Sequence, residues 1–444
     1  MKANKVPWEN CIALGCDNAN VMVGHDTGVY GCMLKKHPKL FLSGCVCHLI
    51  HIAAEKGASC LPFSPSKLMI DVYYYLEKSS KRQASLKCHQ VLHELEESKI
   101  IKHVSTRWLS IGKCLPRVIT SWNALHDFFK EEEANSTGTE NKKKTGDLKK
   151  LFTSPTNKLY CMFLVDFIRV FEDINTELQS DKPKVHILKT RLERLLRDLL
   201  RRFVKPSAML YKHVLDVDFK STLNIKKNTD LIIGDQARIF VSSPVESRLR
   251  TSRIAEFYAT VVKCFQGSCE YIKKKLPLTD VLLKHAQVVD PAKQVDCSFE
   301  SLDYFLKRFP KLVAPCVTTT DMQLEFSKYQ DTDIRQCIAD TDRVDATWCA
   351  VSKLQEDGQP MFQHLPMVML SILTIPHSSA HCERIFSVVR KNKTDFRGSM
   401  AKDTLEALVV AKSRPGEALD RVYTNKELKD MKSAYYRSLQ ASSK

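Results

Sequence analysis

The alternation of apolar and polar positions changes character along the chain. Short apolar runs at residues 11–16 and 41–47 have the length of buried strands, and the second leads into a helical pattern at 48–56. From residue 64 to 355 apolar residues recur mainly at i, i+3 and i+4, which predicts helices. The pattern therefore predicts an α/β front followed by a long helical middle.

Two further apolar stretches lie near the end of the chain. Residues 367–375 predict a buried strand or a helix core, and 404–411 predict a short buried helix. Between them, 378–390 has the pattern of a capped helix. In contrast, residues 131–150 contain almost no apolar side chains, so we expect a flexible loop or a joint between domains there.

The clearest helical pattern covers residues 185–205. Pro183 precedes it and Pro206 stops it. Its apolar stripe consists of Leu188, Leu192, Leu195, Leu196, Leu199 and Phe203. The rest of the helix carries seven Lys or Arg side chains and only two acidic ones. This pattern is typical of a DNA-facing helix, a membrane-surface helix or a plain solvated face.

Composition narrows the class of protein. With 43% hydrophobic residues, the 444-residue chain has enough apolar side chains for a sizeable core, and no apolar run approaches the ~18 residues that cross a bilayer. No signal-like segment follows Met1, so we expect a soluble, intracellular protein whose 16 cysteines are reduced. The formal net charge of +17 indicates a polyanionic partner, most simply nucleic acid, the alternative being a basic solvated surface.

Asp17 follows the first predicted strand directly. A carboxylate fixed at a strand end is well placed to bind Mg²⁺ or Mn²⁺, although an aspartate there more often forms a turn or caps a helix. Glu383 and Arg384 lie on the predicted helix near the other end of the chain. Spacing alone gives no means of pairing them with Asp17.

Cys45, Cys47, His48 and His51 place four zinc-type ligands within seven residues. Neighbouring positions on one strand or helix cannot all converge on a tetrahedral ion. The segment is therefore either a zinc site or a structural junction between strand and helix.

Arg107 and Trp108 stand next to each other before a predicted helix. Arginine can hold a phosphate and tryptophan can stack on an unpaired base. The alternative is that Trp108 anchors the core.

Together these motifs resemble the hAT superfamily of DNA transposases and the host proteins derived from them, such as zinc finger MYM-type and SCAN-domain-containing relatives. Four blocks match in order along nearly the whole chain. They are 15–22 (GCDNANVM), Cys45 with His48, 106–108 (TRW), and 378–387 (SSAHCERIFS). The last resembles the signature of the hAT C-terminal dimerisation region.

The resemblance implies an α/β plus all-α fold. It predicts an incomplete RNase H-like core formed by residues 1–60 and 356–415, interrupted by a large helical insertion domain at 61–355 and followed by a basic tail at 416–444. In the family, two Asp and one Glu bind two metal ions that activate a water or hydroxyl for attack on DNA. By resemblance Asp17 matches the second Asp and Glu383 the Glu.

Further roles follow from the same resemblance. Trp108 matches the tryptophan that stacks against a flipped base, and Arg107 and Arg384 are the accompanying DNA contacts. Cys45 and His48 match an element near the active site.

The sequence also departs from the family. No Asp occurs among the 16 residues before Asp17, and no amino-terminal BED finger is present. We therefore expect a truncated chain or a decayed copy that is catalytically inactive and has no cofactor. The alternative is a residual nuclease that requires Mg²⁺ or Mn²⁺, or a fragment of a longer active transposase.

The resemblance further implies self-association. The expected interface comprises residues 367–375 and 404–411 together with the side chains of Ile385, Phe386, Val388, Val389, Leu405, Leu408 and Val409. We expect further copies of the chain, in a homodimer or higher oligomer, and DNA as partners, in the nucleus, with no membrane and no small-molecule substrate.

Overall fold

A computed structural model describes residues 7–104, 107–243, 249–338, 343–394 and 397–413. It divides into two compact units, one ending at Ser379 and the other beginning at Ala380. The predicted basic tail at 416–444 lies outside the described residues, and so does Thr106 of the TRW block.

The first unit opens with two parallel strands, β1 (Ala13–Cys16) and β2 (Phe41–Gly44). Parallel strands need a crossover, which here contains two short helices, α1 (Asn20–Val23) and α2 (Val29–Leu34). β2 runs into α3 (Val46–Ala58). These elements confirm the strands predicted at 11–16 and 41–47 and the helix predicted after them.

The middle of the first unit is helical, as the periodicity predicts. Short 3₁₀ turns connect several of the helices, including one at Trp108–Ser110. The helices in chain order are α4 (Pro65–Glu77), α5 (Ser80–Leu92), α6 (Ile111–Thr120), α7 (Trp122–Asn135), α8 (Thr139–Thr153), α9 (Pro155–Leu178), α10 (Val185–Phe203), α11 (Pro206–Met209), α12 (Asp235–Ser242), α13 (Thr251–Lys275), α14 (Val281–His285), α15 (Phe299–Arg308), α16 (Thr319–Asp331), α17 (Val344–Val351) and α18 (Leu365–Leu373).

Long apolar helices form the centre of this unit. α9 begins where the Ser154 hydroxyl accepts the Asn157 N–H and Pro155 occupies the first helical position. α3 and α13 cross closely at Gly57, where an added Cβ would lie 2.7 Å from the backbone oxygen of Cys264. The glycine therefore permits the two helix backbones to approach.

The predicted apolar stripe of α10 is confirmed, since its leucines and Phe203 are all buried. A membrane-surface helix must keep its apolar face free to enter the lipid. This face lies inside the core, so the membrane-surface interpretation of α10 is wrong.

The flexible loop expected at residues 131–150 is wrong, because α7 and α8 form a helical hairpin there. Gly138, at φ +99°, provides the left-handed turn between them. Phe152 is buried, and the Lys149 ammonium lies 2.6 Å from the Glu133 carboxylate across the hairpin. A narrow buried face and paired charges stabilise the hairpin. Neither feature produces the wide apolar stripe that predicts a helix from sequence.

The interface expected at residues 367–375 is also wrong. This stretch lies mostly in α18, where Val368, Met369 and Ile372 are fully buried within the first unit. Of the α18 side chains only Met367 is largely exposed, at 64%. The apolar character of the stretch reflects the chain's own core.

A carboxylate from another helix caps α18. The Glu325 side chain on α16 accepts the backbone N–H groups of Gln363, His364 and Leu365, with distances from 2.8 to 3.2 Å. These donors have no partner within their own helix, so Glu325 satisfies the helix start and complements its dipole.

The second unit contains α19 (Ala380–Asn392) and α20 (Lys402–Ser413), which pack against each other. The Lys412 ammonium donates to the Asn392 side-chain oxygen at 3.2 Å. The helices predicted at 378–390 and 404–411 are therefore confirmed, but the burial predicted for the second is wrong, because its side chains are exposed or half-buried.

Across the described residues the protein is mostly helical. Apart from β1 and β2 it has one small hairpin of β3 (Gln355–Glu356) and β4 (Gln359–Pro360). The helix-rich part of the predicted fold class is thus confirmed, while the RNase H-like core and its domain boundaries stay predictions.

Candidate functional site

Asp17 lies immediately after β1 and is exposed. Its Oδ1 accepts the Ala19 N–H at 3.2 Å, which forms a turn into α1. The next residue, Asn18, donates from its side chain to the Cys45 carbonyl at 3.0 Å and so ties the ends of β1 and β2 together. Asp17 thus occupies the turn position that the sequence offered as the alternative to a metal ligand.

Residues near the carboxyl end of the first unit pack against this sheet. The Ser43 hydroxyl donates to the carbonyl of Pro376. A Cβ on Gly15 would lie only 2.6 Å from Cγ of Pro376, so the proline ring packs directly on β1. The β1–β2 sheet and the segment ending at Ser379 therefore pack against each other.

Cys45 precedes the first turn of α3 and is 2% exposed. Its Sγ accepts the Ser379 N–H at 3.4 Å. A hydrogen bond with Cys47, supported by the Ser379 contact and opposed by burial, lowers the pKa of Cys45 to about 6. The thiol is thus polarised by the helix start and by the SSAHCERIFS block, which begins at Ser378.

His51, one turn further along α3, links this helix to the Arg107–Trp108 element. Its Nδ1 accepts the Leu109 N–H at 3.1 Å, and its Nε2 lies 3.5 Å from the Asn175 amide nitrogen on α9. Burial, followed by the positive charges of His48 and Arg107, lowers the pKa of His51 to about 4. The ring is therefore neutral at pH 7.

Two neighbours in the TRW block differ in accessibility. Arg107 is exposed, whereas Trp108 is 4% exposed and packs in the core. This placement matches the core-anchor interpretation of Trp108, and base stacking would require the indole to leave the core.

The four zinc-type ligands at 45–51 do not converge. Cys45 and Cys47 are buried, His48 is exposed, and His51 is engaged with Leu109. In the described parts of the chain, no group of three or more His, Cys, Asp or Glu side chains could hold a metal ion. The segment is a structural junction, and these residues do not fit a divalent-metal centre.

Glu383 and Arg384 lie in the first turn of α19, in the second unit, and both are exposed. Asp17 belongs to the first unit. Their roles as vestigial catalytic and DNA-binding residues remain predictions.

The α19–α20 hairpin leaves much apolar surface uncovered. The side chains of Ile385, Val388, Val389, Leu405, Leu408 and Val409 are only half-buried. Phe386 is 70% exposed and Val410 is 53% exposed. A two-helix unit cannot bury a face on each helix by itself, so this surface has the character of an unfilled interface.

A groove of about 460 Å³ runs between α9 and α10. Five arginines line it, with three acids among them. The arginines are Arg169, Arg191, Arg194, Arg201 and Arg202. Several are held in place by carboxylates, including Arg191 by Glu177 at 2.8 Å and Arg201 by Asp198 at 2.7 Å.

Comparison with known proteins identifies one region of the chain. Residues 343–414 match the hAT family C-terminal dimerisation region, which covers α17, the β3–β4 hairpin, α18, α19 and α20. The match supports membership of the hAT family, a transposase-related role and self-association. No curated protein matches the chain in sequence. No helix among the described residues is long and apolar enough to cross a membrane.

Two polar contacts made by residues 45–51 were not predicted from the sequence. Asn175 contacts His51, and Ser379 donates to Cys45. An available signal for Asn175 is a polar residue within the apolar face of α9, between Phe171 and Leu178. The Ser379 contact joins positions 334 residues apart and leaves no local signal.

Proposed function

We propose that this protein is a transposase-derived nuclear protein that self-associates through its C-terminal helical region, binds DNA, and does not cut it. The match of residues 343–414 to the hAT dimerisation region carries the self-association part. The uncovered apolar surface of α19 and α20 supports it from an independent direction.

Phe386 is the best single test of the interface, because it is the most exposed of the predicted contact residues. A buried aromatic side chain is a typical hot spot, worth ~2 kcal/mol or more in association. Phe386→Asp would replace it with a charge that cannot be buried without a partner, and should weaken dimerisation at least about thirtyfold.

The assay is sedimentation equilibrium of the full chain at micromolar concentration. Twice the monomer mass of 50.7 kDa, or about 101 kDa, is expected for the wild type. Leu324→Asp is the matched control, since Leu324 on α16 is 66% exposed and lies in the first unit. A monomeric wild-type chain, or a Phe386→Asp variant that dimerises normally, would refute the proposal.

The DNA-binding part rests on charge. The chain has a formal net charge of +17. The groove between α9 and α10 combines five guanidinium groups with three carboxylates. Arginine forks match phosphate oxygens, and binding should fall steeply with salt because phosphate contacts release counterions. Arg107, exposed just before the 3₁₀ turn Trp108–Ser110, is proposed as a second contact.

Fluorescence anisotropy with a 30-base-pair duplex between 50 and 200 mM salt tests this part. Replacing Arg169 and Arg194 together by alanine should reduce the slope of log K against log salt by up to about 1.8 if each contacts one phosphate. Replacing Arg238 and Arg253, exposed arginines that do not line the groove, should leave the slope unchanged. Absence of binding at 50 mM salt would remove DNA as a partner.

Catalytic inactivity is the third part. It is supported by the engagement of Asp17 in its turn. Incubation of the full chain with DNA and Mg²⁺ or Mn²⁺ should yield no strand cleavage. Cleavage that disappears in both Asp17→Asn and Glu383→Gln would instead establish the residual nuclease.

A further inference from the structure

Two thiols that play no part in the proposed function meet where α3 ends against α13. Cys60 lies two residues beyond the end of α3 and is exposed. Its Sγ lies 3.6 Å from the carbonyl oxygen of Lys263 and 3.8 Å from the position that a Cβ on Gly267 would take. The Cys60 thiol therefore sits on the turn of α13 that spans residues 263–267.

Cys264 belongs to that same turn and is fully buried. Cys264 directly follows Lys263, whose carbonyl oxygen lies 3.6 Å from the Cys60 Sγ, so the two cysteines are neighbours across the helix crossing. The contact is possible because Gly57, one turn before Cys60, lets α3 lie against the backbone of Cys264. The helix crossing thus places one surface thiol beside one core thiol.

The two sulfurs differ in chemistry as well as in accessibility. The hydrogen bond from Cys264, with a smaller contribution from Lys263, lowers the pKa of Cys60 to about 6 against the opposing effects of burial and of Glu270. The same hydrogen bond, together with burial, raises the pKa of Cys264. At neutral pH the nucleophilic thiolate is therefore the exposed sulfur, and the protonated thiol is its buried neighbour.

We propose that Cys60 and Cys264 form a reversible oxidation site, in which Cys60 reacts with a hydroperoxide and Cys264 resolves the product as a disulfide. The Cys60 thiolate attacks the O–O bond of hydrogen peroxide, takes one oxygen to become a sulfenic acid, and releases hydroxide, which takes up a proton as water. The Cys264 sulfur then attacks the Cys60 sulfur and expels a second water. In total two thiols and one hydrogen peroxide give one disulfide and two waters.

The disulfide would join positions 60 and 264, which are 204 residues apart in sequence, across a crossing in the core of the first unit. A cross-link over so long a loop restricts the unfolded chain, so the oxidised protein should resist unfolding more than the reduced protein. Because the reducing cytosol and nucleus keep most thiols reduced, the link would form only under peroxide exposure.

Peptide mapping of the full chain tests the proposal. The protein is treated with hydrogen peroxide, its remaining thiols are blocked with N-ethylmaleimide, and it is digested with trypsin without reduction. Cleavage after Lys56, Lys67, Lys263 and Lys273 releases peptides 57–67 and 264–273. We expect these two peptides to appear linked, with fragmentation placing the bond between Cys60 and Cys264, and to separate on addition of dithiothreitol.

Two variants and one control sharpen the test. Cys60→Ser should abolish the linked peptide and the gain in resistance to urea, whereas Cys88→Ser, at another exposed cysteine, should change neither. Cys264→Ala should leave Cys60 as a sulfenic acid that dimedone traps, with the fold checked by circular dichroism. A linkage through Cys269 or any other cysteine, oxidation of Cys60 to the sulfinic acid without a cross-link, or no reaction at Cys60 would each overturn the proposal.

Discussion

Replacing Gly57 by alanine would place a methyl group in the crossing of α3 and α13. The new Cβ would lie 2.2 Å from the Ser268 hydroxyl oxygen, 2.7 Å from the Cys264 backbone oxygen and 2.7 Å from Cζ of Phe167. Favourable carbon contacts lie near 3.5–4.0 Å. Neither the helix backbone nor the buried phenylalanine can move away freely, so the two helices must separate.

The cost can be estimated from its parts. Overpacking of a core by a methyl group costs ~1–3 kcal/mol. Ser268 donates to the Ala53 carbonyl at 2.8 Å across the same crossing, and losing that bond costs ~0.5–1.5 kcal/mol. Alanine gains up to ~1 kcal/mol over glycine within a helix. The net expectation is a loss of about 1–3 kcal/mol in the free energy of unfolding.

Urea unfolding followed by tryptophan fluorescence measures this loss. Gly146→Ala in α8 is the matched control, because its Cβ would meet only the flexible end of the Glu133 side chain. That variant should change the free energy of unfolding by no more than ~1 kcal/mol, because the helix propensity of alanine offsets any weakening of the Glu133–Lys149 pair. If Gly57→Ala behaves like Gly146→Ala, the two helices do not cross as closely as described and the reasoning fails.

Two further predictions concern single contacts. Glu325→Gln should lower the free energy of unfolding by ~1–2 kcal/mol, because α18 loses its charged cap. The control Glu55→Gln, on the surface of α3, should change it by less than ~0.5 kcal/mol. Urea unfolding at pH 7 measures both, and equal effects would contradict the capping role. The pKa of His51 is about 4 in the fold and ~6.5 when unfolded, so the unfolded chain binds more protons between these values and stability falls as pH falls. Between pH 7.5 and pH 5 this residue should cost the wild type ~2 kcal/mol, and His51→Asn should remove that part of the pH dependence. An unchanged pH dependence in the variant would show that His51 is protonated in the fold.

Local patterns were sufficient for many of the elements. The strands β1 and β2 and the stripe of α10 follow directly from apolar spacing, because each buries a continuous face. Periodicity failed at α8, where the apolar face is narrow and Lys149 pairs with Glu133. It also misjudged the role of α18, since an apolar run looks the same whether it fills the chain's own core or meets a second copy.

The candidate site was predictable in its residue types but not in its contacts. The sequence places Cys45 and Asp17 near strand ends, yet the partners of Cys45 and Ser43 are Ser379 and Pro376, more than 330 residues away. Such contacts depend on tertiary packing, which no local pattern encodes. The thiol pair at Cys60 likewise joins two helices that only the folded chain brings together.

The packing of Pro376 against β1 and β2 constrains the order of folding during synthesis on the ribosome. Ser43 and Pro376 are separated by 333 residues. At a synthesis rate of ~5–20 residues per second, roughly 17–67 s pass between the synthesis of β2 and that of Pro376. During that interval the Ser43 side of the sheet, which is buried beside Pro376 in the finished protein, stays open. The amino-terminal sheet should therefore be a binding site for chaperones during synthesis, and chains released before residue 376 should be cleared by proteolysis rather than persist as folded fragments.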